Sequence, residues 1–377
     1  MKILNVIDLM NPFTGGGATT RTYLMSKFLV ERGVEIEALT TNWDLDINYV
    51  NELSRIKWYS INAVHIRYLL PFGAKNWLEK NIKNYDIIHI NKNWSVLSTW
   101  AALIAFKHGI PYVFSGMGLV SMRNRSRLLK FIYSRYLSKQ VMQRAQCCIA
   151  VTKEEKEALI IAGVSEDNIK IIPNGIVLDD LCEVDNLGFR REFKLDDRKI
   201  ILFIGRMDEV KGVHLLIESF ASNRNSLLEW QMVLIGTNTP YRNKMQKLVK
   251  DHNLSDTINF LDPVFGKTKS KAYHASEIVA IPSIKDAMTT IAPEAAYCAK
   301  PVLITNTSDF PILAEMGGSI EVLPTVPAIS GGLLKLVNNA PLRKTMGEKG
   351  REFVTKNYSW DKIADDYLNI FESSLKN

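Results

Sequence analysis

The sequence is poor in sulfur and histidine ligands, and it has no long apolar run. Its four cysteines are Cys147, Cys148, Cys182 and Cys298, and none forms a CxxC pair. That excludes a zinc-knuckle spacing and a disulfide framework, and it suits a reducing cytoplasm. Six histidines are scattered without ligand spacing, so no protein-built metal site is expected. No stretch of 18 uncharged apolar residues occurs, so no transmembrane helix is expected. The opening Met1-Lys2-Ile3-Leu4-Asn5-Val6-Ile7-Asp8 carries an acid within its apolar run and is read as a first strand, not a signal peptide. No GxGxxG fingerprint and no recognisable nucleic-acid module is present, so neither a dinucleotide cofactor nor a nucleic-acid partner is expected.

What is present is a globular composition, with 46% hydrophobic and 23% charged residues over a length of 377. That length predicts about two domains. The formal charge of +7 is unevenly spread. Residues 121–144 hold seven basic side chains, among them Arg123, Arg125, Arg127 and Lys130, and no acid. Helical spacing over 124–142 gathers Leu128, Leu129, Ile132, Tyr133, Tyr136 and Leu137 on one face, ringed by cations. Two readings stay open: a core-packed helix with a solvated basic flank, or a contact with an anionic membrane surface.

Short β-rich runs alternate with helical patterns along the whole chain. Strands are expected at 2–8, 34–40, 63–68, 86–90, 111–115, 147–151 and 169–172, then at 199–204, 231–235, 257–260, 278–281, 301–305 and 319–323. Helices of 8–19 residues fall between most of them. Such alternation implies βαβ units and two doubly wound parallel sheets covered on both faces. Turn signals at Pro173-Asn174-Gly175 place a boundary near 173–180. A final amphipathic helix is expected after Ser359, with Ile363, Tyr367, Ile370 and Phe371 on its buried face.

In open parallel sheets, ligands bind beyond the carboxyl ends of strands, where helix N-termini present N–H groups. Three features fall at such corners. Gly15-Gly16-Gly17 follows the first strand and opens a helix; it is either a phosphate-approach loop or a bare flexible one. In GRMDEVKG (205–212), Arg206 and Lys211 flank a strand-to-helix turn. Together they match the charge of a diphosphate, or else they form surface ion pairs with Asp208 or Glu209. In the segment 282–305, Asp286 lies in a loop and Glu294 follows it on a helix. A carboxylate there suits a bidentate grip on sugar hydroxyls, or Glu294 is only a helix-face residue.

Jointly these motifs resemble the GT-B glycosyltransferases of the large retaining family 4. The likeness runs through the glycine loop, DIIHIN (86–91), VTKEEKEAL (151–159), IIPNGI (171–176), GRMDEVKGVHLLIESF (205–220), the segment 282–305 and YSWDKIADDYLNIF (358–371). It implies an α/β fold of two Rossmann-like domains facing a cleft: residues 1–175 for the acceptor, 176–357 for a nucleotide sugar, and a terminal helix, 358–377, packing back on the first. By position, Arg206 and Lys211 hold the donor diphosphate, with no protein carboxylate between them. Asp286 touches the donor sugar, Glu294 the ribose, and Val264 frames the base. Gly16, Gly17, Met288, Thr289 and Thr290 complete the donor site.

The sequence departs from that family pattern in three places. The first acid of the E-x7-E motif is Asp286, one methylene short. Met288-Thr289 stands for the usual Phe-Gly. Met117, in Ser115-Gly116-Met117-Gly118, stands where a histidine is usual, and a thioether cannot donate a proton. The implied function is sugar transfer, with retention and without metal or cofactor, to a glycan or lipid-diphosphate-linked acceptor. The setting would be bacterial surface polysaccharide or glycolipid synthesis at the inner face of the membrane, with Arg123, Arg125, Arg127 and Lys130 meeting acceptor or lipid. A non-catalytic nucleotide-sugar binder, an epimerase and a glycan phosphorylase are the alternatives.

Overall fold

The computed structural model describes residues 1–377 except 12–13, 15, 66–68, 118–136, 183, 287–288, 309 and 377. The chain divides into two compact units, one of Met1–Asn174 with Trp360–Asn377 and the other of Gly175–Ser359.

Among the described residues the first unit has nine strands: β1 (Lys2–Val6), β2 (Glu35–Thr41), β3 (Lys57–Ile61), β4 (Ala63–His65), β5 (Leu69–Pro71), β6 (Ile87–Asn91), β7 (Tyr112–Ser115), β8 (Cys147–Ala150) and β9 (Ile169–Ile171). Seven form one sheet in the order β3-β2-β1-β6-β7-β8-β9, and every adjacent pair is parallel. Helix α1 (Gly16–Glu31) follows β1, and α2 (Val96–Lys107) follows β6. Both are crossovers of the kind that parallel strands require. Central β6 is buried at every residue, as a strand covered on both faces must be.

The strand expected at 63–68 is found at Ala63–His65, outside the parallel sheet, and its remainder, 66–68, lies outside the described residues. Ala63–His65 pairs antiparallel with Leu69–Pro71 in a separate hairpin, while Lys57–Ile61 takes the sheet edge. An edge strand has one unpaired side and tolerates Lys57 and Ser60, so its apolar signal is weak.

Among the described residues the second unit has six parallel strands: β10 (Lys199–Ile204), β11 (Trp230–Ile235), β12 (Ile258–Leu261), β13 (Ile278–Ile281), β14 (Val302–Thr305) and β15 (Ser319–Val322). Their order is β12-β11-β10-β13-β14-β15. The order reverses direction between β10 and β13, so this is where a crevice opens at the carboxyl ends. Three helices frame that point: α3 (Val213–Ser222), α4 (Gly266–Ala275) and α5 (Ile291–Tyr297).

The chain then returns to the first unit as α6 (Trp360–Ser374), which packs on α1. Trp360, Ile363, Ala364, Tyr367, Ile370 and Phe371 are buried along one face. Fully burying each large member contributes about 1.5–3 kcal/mol. The Arg21 guanidinium, 3% exposed, donates from Nε to the Tyr367 hydroxyl at 2.9 Å, from Nη1 to Asn174 Oδ1 at 2.5 Å and from Nη2 to the Ile172 carbonyl at 2.8 Å.

Candidate functional site

A cavity of about 370 Å³ opens beyond the carboxyl ends of β10 and β13 in the second unit. Gly205, Arg206, Lys211, Ser283, Asp286 and Thr289 line it together with apolar residues from the strand ends. It therefore joins residues of the two segments GRMDEVKG and PSIKDAMTT, which lie far apart in sequence.

Local rules bring them together. Asp208 adopts extended φ/ψ and caps a short 3₁₀ turn, Glu209–Lys211, accepting from the Lys211 backbone N–H at 3.1 Å. Gly212 follows at φ +66°, and a Cβ there would lie 1.9 Å from the Pro282 carbonyl oxygen. Only glycine meets both conditions. The close approach lets the Ile284 N–H donate to the Val210 carbonyl at 2.8 Å. The loop after β13 is further pinned by Thr305 and Thr307, whose hydroxyls both donate to the Ser283 carbonyl at 2.6 Å. The Asp286 N–H donates to the Thr307 carbonyl at 2.9 Å.

The charges are arranged differently from expectation. Arg206 and Lys211 do line one cavity, but a carboxylate already meets each of them. Arg206 Nε donates to Asp208 Oδ2, and Lys211 Nζ lies 2.5 Å from Asp286 Oδ2. The expected gap free of protein carboxylate is thus corrected. The capping geometry brings the Asp208 side chain to Arg206, and the Gly212 approach brings Asp286 to Lys211. The Arg206 side chain is 67% exposed and the Lys211 side chain 22%, so the second ion pair is the more desolvated.

Ser283 escaped sequence reasoning. It is buried in the cavity wall, and its hydroxyl has no hydrogen-bond partner among the described residues. An orphaned buried hydroxyl costs about 1–3 kcal/mol. A serine two residues after an apolar strand reads as ordinary turn chemistry, so nothing in the string marked it.

Glu294 lies on α5. Its carboxylate accepts from the Tyr273 hydroxyl at 2.6 Å and pairs with Lys269 Nζ at 2.5 Å, both partners coming from α4. Burial, reinforced by this carboxylate, pushes the Tyr273 phenol far above its usual range, so it remains a donor. Glu294 is therefore a held carboxylate rather than a solvated helix-face residue. Tyr273 and Lys269 were missed because an i, i+4 pair on a helix resembles routine packing.

The remaining donor-site residues are scattered. Thr289 is buried on the cavity wall, accepting from the Ile291 N–H at 3.2 Å, and Thr290 is exposed at the start of α5. Val264 is half-buried before α4, outside the cavity lining, and its neighbour Phe265 is 71% exposed. Met288 lies outside the described residues, as do Arg123, Arg125, Arg127 and Lys130. Gly16 and Gly17 open α1 in the first unit, and a Cβ on Gly17 would meet nothing within 4 Å. Among the described residues no close backbone approach explains that glycine. Met117 follows β7 at φ +58°, an uncommon conformation for a non-glycine residue.

Two doubly wound parallel units, with a cationic corner at the second unit's strand reversal, define the GT-B class. Solved structures agree. A glycosyltransferase from Rickettsia africae superposes with a TM-score of 0.83 at 20% identity, covering 100% of this chain and 99% of that one. Anabaena HepE in complex with UDP and glucose superposes with a TM-score of 0.79 at 18% identity, covering 99% and 100%. Residues 15–180 match the model of Glycosyltransferase Family 4, and residues 187–353 that of Glycosyl transferases group 1. An uncharacterized glycosyltransferase of Methanocaldococcus jannaschii is 27% identical, covering 100% of this chain and 99% of its own length. The chain belongs to the family 4 glycosyltransferases.

Proposed function

We propose that the protein moves a glycosyl group from a nucleotide-diphosphate sugar to a hydroxyl of a glycan or lipid-linked acceptor, with retention at the anomeric carbon. The observation that carries this is the cavity at β10 and β13, where two cations line one space. Arg206 and Lys211 take the donor diphosphate, exchanging their contacts with Asp208 and Asp286 for phosphate oxygens. Asp286, released, accepts from a hydroxyl of the donor sugar, and Glu294 holds the ribose. The HepE structure holds UDP and glucose, which makes a UDP-sugar the first donor to test.

In the transfer, the bond from the anomeric carbon to the diphosphate oxygen breaks and a bond to the acceptor oxygen forms on the same face. The acceptor proton passes to the departing diphosphate oxygen. Negative charge grows on that diphosphate, and two preorganised cations stabilise it more than they stabilise the ground state. Neutralisation falls to Arg206 and Lys211, so this reading needs neither metal nor protein base. Among the described residues no helix is long and apolar enough to cross a membrane. Contact with anionic lipid through the segment 121–144, and a role in surface glycan synthesis, complete the proposal.

Met117 favours a second reading, a nucleotide-sugar binder without turnover. One assay separates the alternatives: release of nucleotide from a panel of donors, with EDTA present, with and without a lipid-linked acceptor. Acceptor-dependent release supports transfer. Binding without release or conversion supports the silent relative, and an epimeric nucleotide sugar formed without release or acceptor supports an epimerase.

A further inference from the structure

Glu294 gives one of its two carboxylate oxygens to the protein and keeps the other. The Tyr273 hydroxyl donates to Oε2 at 2.6 Å, and Lys269 Nζ lies 2.5 Å from the same atom. Tyr273 is fully buried, while the Glu294 and Lys269 side chains keep 15% and 22% of their surface exposed. Oε1 has no partner among the described residues.

A carboxylate has about four acceptor positions, two on each oxygen. Those on Oε2 are taken by a phenol and an ammonium, which stand one turn apart on α4. Both contacts are charge-assisted, and so are of the strong kind. A phenol with no exposed surface that lost this acceptor would become an orphaned buried donor, so Tyr273 does not let go readily. Oε2 is therefore held towards α4, and the planar carboxylate fixes Oε1 with it. On the ligand side, Ile291 lines the cavity and precedes Glu294 by three residues on α5, so the two share a helix face. Side chains on a helix lean towards its N-terminus, which carries Glu294 over the turn that begins at Ile291.

We infer that Glu294 reads one hydroxyl of the donor's ribose rather than the vicinal pair, and that the site accepts a nucleoside diphosphate lacking the other. The inference rests on the donor reading above and narrows the donor's chemical class. A bidentate grip needs one oxygen for each hydroxyl. With Oε2 held, two neighbouring hydroxyls would have to share Oε1, and hydrogen bonds weaken steeply as they bend. One strong bond forms and the second hydroxyl goes unread. Where the unread hydroxyl is the 2′ one, the donors extend from ribonucleotide sugars to 2′-deoxynucleotide sugars.

Isothermal titration calorimetry on the full chain tests this. Of UDP, GDP and ADP, the tightest binder is compared with its own 2′-deoxy and 3′-deoxy forms. One deoxy form should bind within about threefold of the parent, and the other should lose about tenfold or more, the effect of one bond to a charged group. In Glu294→Ala all three should bind alike, because the discrimination passes through this carboxylate. In the double variant Lys269→Met with Tyr273→Phe both oxygens are free, so the tolerated form should now also lose about tenfold. A form still tolerated there would overturn the part given to Tyr273 and Lys269. The unaltered protein decides the matter even where the double variant does not fold. Equal losses for both deoxy forms would overturn the inference and leave the donor reading standing. No loss for either would overturn it and remove Glu294 from the ribose. No binding by any of the three nucleotides would take down the inference and the donor reading together.

Discussion

The Lys211 ammonium lies 2.5 Å from the Asp286 carboxylate, although 75 positions separate them in the chain. This pair ties the turn after β10 to the loop after β13 and sets the two groups on one cavity wall. Lysine and aspartate thus hold each other in place.

Replacing Lys211 with alanine should therefore remove transfer without unfolding the chain. Loss of one preorganised donor to a developing anion costs about 3 kcal/mol, or a factor of about 10² in turnover. Arg206→Ala should behave similarly, and its exposure predicts a smaller effect on stability. Steady-state kinetics beside thermal unfolding check both, and unchanged turnover in either variant would refute its role.

Gly212→Ala should fail for a different reason. The new Cβ would meet the Pro282 carbonyl, and the residue would have to hold φ +66°. A loss of about 2–4 kcal/mol is expected, from the clash and the left-handed strain together. Urea unfolding measures it. UDP stabilisation should fall in parallel, because the turn can no longer bring Lys211 to Asp286.

His89 gives the protein an acid-side slope. It is fully buried, bonded to Asn5 Oδ1 at 2.9 Å and Ser115 Oγ at 2.8 Å, and burial, aided by the nearby Arg21 charge, lowers its pKa to about 3. An unfolded histidine takes up its proton near pH 6.5. Between those values the unfolded chain binds the extra proton, so stability falls as pH drops below about 6.5. From pH 7 to pH 5 this one residue should remove about 2 kcal/mol. His89→Gln should flatten that slope in urea titrations; an unaltered slope would show that His89 charges inside the fold.

Most of the two sheets was legible because parallel strands buried on both faces are nearly continuous apolar runs. KIILFI (199–204) and IVAI (278–281) coincide with β10 and β13. Lys57–Ile61 was not legible, since an edge strand may be half polar, and Ala63–His65 belonged to a hairpin instead. Within the site, Arg206, Lys211, Asp286 and Glu294 stood out as charges at strand and helix corners. Their actual partners did not: Asp208 could be weighed as a neighbour in sequence, whereas the bond from Lys211 to Asp286 depends on how closely Gly212 approaches Pro282. Ser283 and Tyr273 carried no sequence signal, because a hydroxyl becomes informative only when its burial and partners are known.

Arg21 has a bearing on how the chain is made. Its guanidinium grips Ile172 and Asn174, where the chain leaves the first unit, and Tyr367, after the chain has come back. Ribosomal synthesis usually lets the leading domain finish first. Here the leading domain waits for the last helix, so a nascent chain halted at Asn174 would expose the unclothed flank of α1 to chaperones, and the second domain, contiguous in the gene, would be complete before it.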